Sequence, residues 1–151
     1  MITRSLRERS AGRRGASAVE LALVLGPLFT LILGIFEYSR FLMVQNLAEN
    51  ACREGARFAV VNTSTQTLAG VQAVVTSMMA GQSANIQSLA ITVNQVNPAT
   101  GAVLGPWTST TFGQAISVQM TGNYQPVTPA LLFMPATIPI TTSAVMLSEA
   151  N

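Results

Sequence analysis

Hydrophobic residues in the first third of the chain follow a pattern typical of one long helix that crosses a membrane. Leu21–Phe36 is a run of 16 residues without a charge, and counting back to Ala16 gives 21 residues interrupted only by Glu20. At about 1.5 Å per residue, such a helix reaches roughly 31 Å, which matches a hydrocarbon core of about 30 Å. The pattern therefore predicts a membrane-spanning helix over residues 16–36, in which Pro27 introduces at most a local kink.

A second apolar pattern continues beyond the span. Six residues recur at steps of three and four and form one stripe on a helix that extends to about Val61: Phe41, Val44, Ala48, Ala51, Gly55 and Phe58. Most of these side chains are small, which lets another helix or a sheet approach closely. Two interpretations are equally supported: the stripe docks the chain's own domain, or it packs against other subunits.

After a polar break at residues 62–67, the pattern changes to that of a small domain. Apolar residues at helical spacing predict a helix over Leu68–Ala80. Alternation indicates strands near 89–94 and 116–121 and a last strand over Ile138–Leu147. Turn residues occupy 97–101, and prolines confine 126–139 to a loop or short helix. The predicted fold class is therefore α+β: a long N-terminal helix, then one helix and an antiparallel sheet of about three or four strands.

A few single residues in these segments carry candidate chemistry. Trp107, Phe112 and Tyr124 are predicted to be core or turn aromatics rather than a sugar-binding platform. The triplet at residues 62–64 fits the N-glycosylation pattern, which is a weak signal by itself. Cys52 has three interpretations that stay open: a small buried helix residue, a free thiol, or an intermolecular disulfide.

Composition excludes most enzyme chemistry. The 14 charged side chains are eight Arg and six Glu, with no His, Lys or Asp. Imidazole bases, His metal sites, Schiff-base lysines and the phosphate-binding lysine of nucleotide-binding loops are therefore impossible. The single cysteine excludes thiolate zinc sites and intramolecular disulfides. We expect no enzyme activity, no cofactor and no metal.

Charge is concentrated at one end of the chain. All eight Arg and five of the six Glu lie in residues 1–57, so the net charge of +2 does not describe a basic surface for nucleic acid. Of the last 94 residues, 36 are Thr, Ser, Gln or Asn and one, Glu149, is charged. Such a surface suits packing against copies, partner subunits or carbohydrate, and equally a neutral exported domain.

The distribution of Arg sets the predicted orientation. Five Arg precede the span and only Arg40 follows it closely, which places the N-terminus in the cytoplasm and exports residues 62–151. The competing interpretation is a cleavable secretory signal. It is disfavoured because the residues after the span, FEYSRFLM, lack a small-x-small cleavage site and because Glu20 interrupts the apolar region.

Glu20 is unusual because an ionised carboxylate at the centre of a membrane span costs roughly 2.5 to 3.5 kcal/mol. It either stays hydrated near the headgroups, or pairs with an Arg of its own chain, or has a function. The run RRGASAVEL places it as the fifth residue after Gly15. This run resembles the processing site of prepilins and pseudopilins of the type IV pilus superfamily. The resemblance implies that a prepilin peptidase cuts between Gly15 and Ala16, and that the new Ala16 amine pairs with Glu20 of a neighbouring subunit.

A second motif narrows the family. Residues 51–57, ACREGAR, contain the sequence Arg53-Glu54-Gly55-Ala56-Arg57. This motif and the run around Gly15, at this distance from each other, together resemble the TadE-like pseudopilins of tight-adherence (Flp) pili. The resemblance covers Gly15 to about Ala59; Cys52 stands where a small residue such as Ala is expected. From the residues themselves, Glu49–Arg53 and Glu54–Arg57 also form predicted local ion pairs on the polar side of the helix.

The resemblance implies a pilin-like chain of three segments: a basic leader at 1–15, a long helix at 16–61 and an exported domain at 62–151. Its implied function is that of a minor pseudopilin, a structural component of pilus assembly and cell adhesion, anchored in the bacterial inner membrane. Implied partners are the prepilin peptidase, other pilins and pseudopilins, inner-membrane platform proteins and membrane lipid, and a homo-oligomer stays open. The alternative is an uncleaved single-pass protein whose exported domain binds a ligand or surface. Cleavage would remove five Arg and one Glu, which leaves a slightly acidic mature chain.

Overall fold

The elements of the chain follow one another in a simple order. The computed structural model describes residues 4–63, 65–130 and 132–148, with side chains from residue 15 onward. Residues 1–3 and the side chains of 4–14 in the predicted leader, and Ser64 of the glycosylation triplet, therefore lie outside it. The elements are α1 (Arg4–Val61), α2 (Leu68–Met78), β1 (Ile86–Val96), β2 (Val103–Pro106), β3 (Ala115–Tyr124) and β4 (Ile138–Leu147). The predicted α+β class with a long N-terminal helix is confirmed.

Helix α1 runs for 58 residues and passes through Pro27 without ending. Proline removes one backbone donor from the helix, a loss that a membrane-embedded helix tolerates when hydroxyl groups or neighbouring helices satisfy the freed backbone groups. Two hydroxyls bond within the helix in this region: Thr30 donates to the Gly26 carbonyl at 3.0 Å, and Ser39 donates to the Ile35 carbonyl at 2.8 Å. Within the apolar stretch of α1, which we define as residues 16–36, the Thr30 hydroxyl therefore has a partner in the helix itself and does not require water.

The four strands form one antiparallel sheet in the order β2-β1-β3-β4. The second half of α1 lies across β3 and β4, and α2 packs beside it. Thr67 caps α2 by accepting a hydrogen bond from the Gly70 amide at 3.3 Å. This arrangement leaves the first half of α1 projecting from the domain.

Gly55 allows the closest approach between α1 and the domain. A Cβ atom at this position would overlap the Val75 side chain of α2 and lie 3.5 Å from Val118 of β3. Val44, Ala48 and Ala51 of the same stripe are fully buried in the core, and Phe41 and Phe58 pack at its edge. The small residues are therefore required for docking the chain's own sheet, which was one of the two interpretations of the stripe.

The structure differs from the sequence predictions in two of these elements. Strand β2 was not predicted, because four residues that include Gly105 and Pro106 give no alternation. Helix α2 ends at Met78, before Ala80, whose φ of 48° is left-handed. The aromatics lie as predicted in the core or in a turn: Trp107 and Tyr124 are buried, and Phe112 is in an exposed turn.

Candidate functional site

The predicted processing residues lie at the exposed head of the apolar stretch. Gly15, Ala16 and Glu20 are all within α1 and all exposed. A Cβ atom added to Gly15 would meet none of the described atoms within 4 Å. Ala16 and Glu20 are four residues apart and lie one helical turn from each other. The predicted pairing of Glu20 with Arg13 or Arg14 of its own chain concerns side chains outside the described residues.

Side chains of the apolar stretch are exposed around the helix. None of its most apolar 18-residue window, with a mean hydropathy of 2.3, is buried against the domain. Leu23, Phe29 and Phe36 are 74%, 58% and 70% exposed, respectively. In the described part of the chain this is the one helix long and apolar enough to cross a membrane. Contact with water over such a length is unfavourable, so the stretch requires lipid or other apolar helices.

A polar cluster marks the point where α1 leaves the apolar stretch. We call Glu37, Arg40, Asn85 and Tyr124 the junction cluster. Glu37 is 6% exposed, and the Tyr124 hydroxyl donates to its Oε1 at 2.7 Å. The Val127 amide donates to Oε2 at 3.2 Å. Both carboxylate oxygens therefore have donors, which a buried charge requires.

Arg40 completes the cluster from the next turn of α1. Its guanidinium lies 3.8 Å from Glu37 Oε1, donates to Asn85 Oδ1 at 2.8 Å and stands 5.6 Å from the centre of the Tyr124 ring. Phe41 meets the same ring edge-on at 5.5 Å. One short segment of α1 is thus joined to the turn directly before β1, the end of β3 and the loop that follows β3.

Tyr124 stays neutral in this environment. Burial, then the hydrogen bond to the Glu37 carboxylate, raise the pKa of Tyr124 to about 12, against a smaller opposing effect of Arg40. A protonated hydroxyl is the form that can donate to the carboxylate. The cluster is therefore a structural brace that fixes the sheet on the helix.

The family-motif residues divide between the core and the surface. Gly55 and Ala56 are buried, whereas the side chains of Arg53 and Arg57 are 61% and 70% exposed. The two predicted local ion pairs are present, Arg53 with Glu49 and Arg57 with Glu54 at 3.2 Å. The motif thus combines a close-packing site on one side of α1 with paired charges on the other.

Cys52 lies in the core beside the sheet. Its sulfur stands 3.4 Å from the Thr142 hydroxyl of β4, and its side chain is fully buried. Burial raises the pKa of the Cys52 thiol, with a partly opposing contribution from the Thr142 hydrogen bond. Of its three interpretations, the small buried helix residue is the one that this position fits.

Glu37 was missed as a functional residue in the sequence, although a signal for it existed. Stepping back from Phe41 by four and then three residues along the stripe gives Glu37 and Gly34. An acidic residue on the face that docks the domain predicts a buried carboxylate with partners. The partner Tyr124 is 87 residues away, and only the sheet brings it to this position.

Comparison with known proteins bears on the helical part of the chain. Residues 15–57 match the model of the family described as TadE-like protein, which confirms the resemblance over that segment. The match covers under a third of the chain, begins at Gly15 and ends at Arg57, before the domain. No curated protein and no solved structure matches the chain. Within the part of the chain that the structure describes, no three acidic or thiol side chains group as metal ligands would.

Proposed function

We propose that this chain is a minor pseudopilin of a tight-adherence pilus, a structural component that works in assembly rather than catalysis. The observation that carries the proposal is that the TadE-like match, residues 15–57, falls on a helix that is long and apolar enough to cross a membrane. A TadE-like segment on a membrane-capable helix fits a membrane protein associated with such a pilus.

Processing is the second part of the proposal. A prepilin peptidase cuts after Gly15, which is exposed among the residues whose side chains the structure describes. The five Arg before the span hold the N-terminus in the cytoplasm until the cut, and the domain is exported. The mature protein then keeps α1 as its membrane anchor and begins at Ala16.

The role of Glu20 follows from its exposure within an apolar helix. An unpaired carboxylate among lipid chains is unfavourable, and a cationic α-amine is its simplest partner. The Ala16 amine of a neighbouring subunit supplies that cation and sets the axial register between two helices. Other pilins, pseudopilins and platform proteins are the partners that this arrangement serves, alongside membrane lipid.

Genetic replacement tests the proposal in the cells that produce the chain. Deleting it should abolish surface pili and adherence, and the wild-type chain should restore both. Gly15→Val should fail to restore them, whereas Gly12→Val, the same change three residues earlier in the leader, should succeed. Unchanged pili in the deletion strain would contradict a function in assembly.

A further inference from the structure

The loop between β3 and β4, residues 125–137, returns to α1 at the end of the apolar stretch. Its Val127 amide bonds to Glu37, and a Cβ atom on Gly34 would lie 3.8 Å from Leu132 Cδ2. Gly34 lies inside the uncharged run of α1, about 4.5 Å along the helix axis from Glu37. The loop therefore extends past the polar junction cluster to the level at which the helix is apolar.

The composition of this loop matches that level. Residues 125–137 contain no charged side chain and three prolines. Val127 is 66% exposed and Phe133 is 96% exposed, which makes Phe133 the most exposed large hydrophobic residue among those described. Burying a side chain of this size stabilises a protein, and its full exposure to water forgoes that stabilisation.

The loop holds these side chains in a defined conformation. The Met134 amide donates to the Pro129 carbonyl at 2.9 Å, and the Leu132 amide donates to the Thr128 carbonyl at 3.4 Å. Phe133 has a φ of 53°, a left-handed conformation that is uncommon for a bulky residue. Strain of this kind persists only where the surrounding structure enforces it. Phe133 is thus presented outward by a turn with its own hydrogen bonds.

We propose that this loop inserts into the leaflet of the membrane on the side of the domain, with Phe133 and Val127 at the boundary between headgroups and acyl chains. The occupant is lipid because the loop lies beside a helix that enters the bilayer at the same level. Apolar side chains of interfacial segments typically penetrate about 5 to 10 Å, a depth compatible with the position of Gly34. The proposal rests on the membrane anchoring in the proposed function.

Insertion would give the domain a second attachment to the membrane. A single helix lets the domain tilt, whereas a helix and a loop restrict it. The junction cluster lies between the two attachments, where Glu37 and Arg40 are at headgroup level. The domain is then held at a set angle to the bilayer before it meets other subunits.

Depth-dependent fluorescence quenching tests the insertion. The full chain with Cys52→Ala receives one new cysteine, Phe133→Cys, labelled with an environment-sensitive nitrobenzoxadiazole dye and reconstituted into phosphatidylcholine vesicles. Lipids with a nitroxide at acyl carbon 5 or carbon 12 act as quenchers. We expect a blue-shifted emission and stronger quenching by the carbon-5 lipid than by the carbon-12 lipid.

Two matched aromatic positions make the result interpretable. Phe112 is an exposed phenylalanine that precedes the first residue of β3, at the other end of that strand from Tyr124. A dye on Phe112→Cys should be quenched by neither lipid. Phe29→Cys, within the apolar stretch, should be quenched by both. If the dye at position 133 is not quenched while the dye at position 29 is, the insertion is overturned and the membrane anchoring stands. A loop that binds another protein instead of lipid would give this result. Unquenched dye at 29 contradicts the membrane anchoring as well. Native fluorescence of the buried Trp107 verifies that each variant is folded.

Discussion

The Tyr124 hydroxyl donates a 2.7 Å hydrogen bond to the Glu37 carboxylate, across 87 residues of sequence and at the exit of the apolar stretch. The bond joins the last residue of β3 to the first charged residue after the run Leu21–Phe36. Its position makes the orientation of the domain on the helix depend on one buried carboxylate.

Removing the Tyr124 hydroxyl should destabilise the domain more than an ordinary Tyr-to-Phe change. Tyr124→Phe leaves the buried Glu37 carboxylate one donor short, and hydrogen bonds to charged groups contribute about 1.5 to 3 kcal/mol. In a Glu37→Gln background the same change should cost less, because the acceptor is then neutral. Denaturant unfolding of the full chain in detergent, followed by Trp107 fluorescence, measures both. Tyr38→Phe at an exposed position is the control, and equal effects of the two Tyr substitutions would refute the role of the bond.

The stability of the domain should fall at alkaline pH. Because the pKa of Tyr124 is raised to about 12 in the folded state, from an ordinary value near 10, the unfolded state loses this proton first. The contribution of Tyr124 is fully present below pH 10 and is lost as the pH rises from about 10 to about 12. Unfolding free energies over this range should decline for the wild type, and Tyr124→Phe should remove this part of the decline. In a Tyr38→Phe protein, phenolate absorbance should report Tyr124 alone; titration near 10 would contradict the assignment.

Gly55→Ala should destabilise docking, although alanine is the better helix former by about 1 kcal/mol. The added methyl would overlap Val75, and overpacking of a core typically costs about 1 to 3 kcal/mol. Val75→Ala removes the overlapping methyls, so the double variant should be more stable than the sum of the two single effects. Additive effects in the same fluorescence assay would exclude this contact as the reason for the glycine.

Glu20→Gln should leave export and domain stability unchanged while it abolishes assembly. The substitution removes the charge that the proposed pairing with a neighbouring α-amine needs, and it leaves the helix intact. Cross-linking to other pilus subunits in membranes, with protease accessibility of the domain as the export readout, measures the two properties separately. Glu54→Gln on the solvent side of the same helix is the matched control. Normal cross-linking of the Glu20 variant would eliminate the pairing.

Cys52 should react slowly with maleimide in the folded protein. Its thiol is fully buried, and burial raises its pKa, so little thiolate is available. Full reaction should require denaturant, which mass spectrometry follows directly. Rapid labelling of the native chain would place the thiol at the surface and reopen its interpretation as an exposed group.

Local periodicity was sufficient to predict that α1 and α2 exist. The junction cluster was not predicted, because it depends on contacts between residues far apart in the sequence. The stripe from Phe41 to Phe58 predicted a docking face because its period of three and four is a property of one helix. Strand β4 matches its predicted bounds, Ile138–Leu147, because its alternation is long. The partners of Glu37 and Arg40 in the junction cluster come from the turn before β1, from β3 and from a loop, which no local pattern relates to Glu37.

The intact mass of the protein isolated from its native membranes tests the central claim most directly. A pseudopilin processed after Gly15 has lost residues 1–15 and begins at Ala16, with the apolar stretch of α1 retained. Peptide sequencing of the N-terminus assigns the cut to a single bond. A mature chain that begins at Ala16 is the result we predict, and an unprocessed chain, or one cut after Phe36, would contradict it.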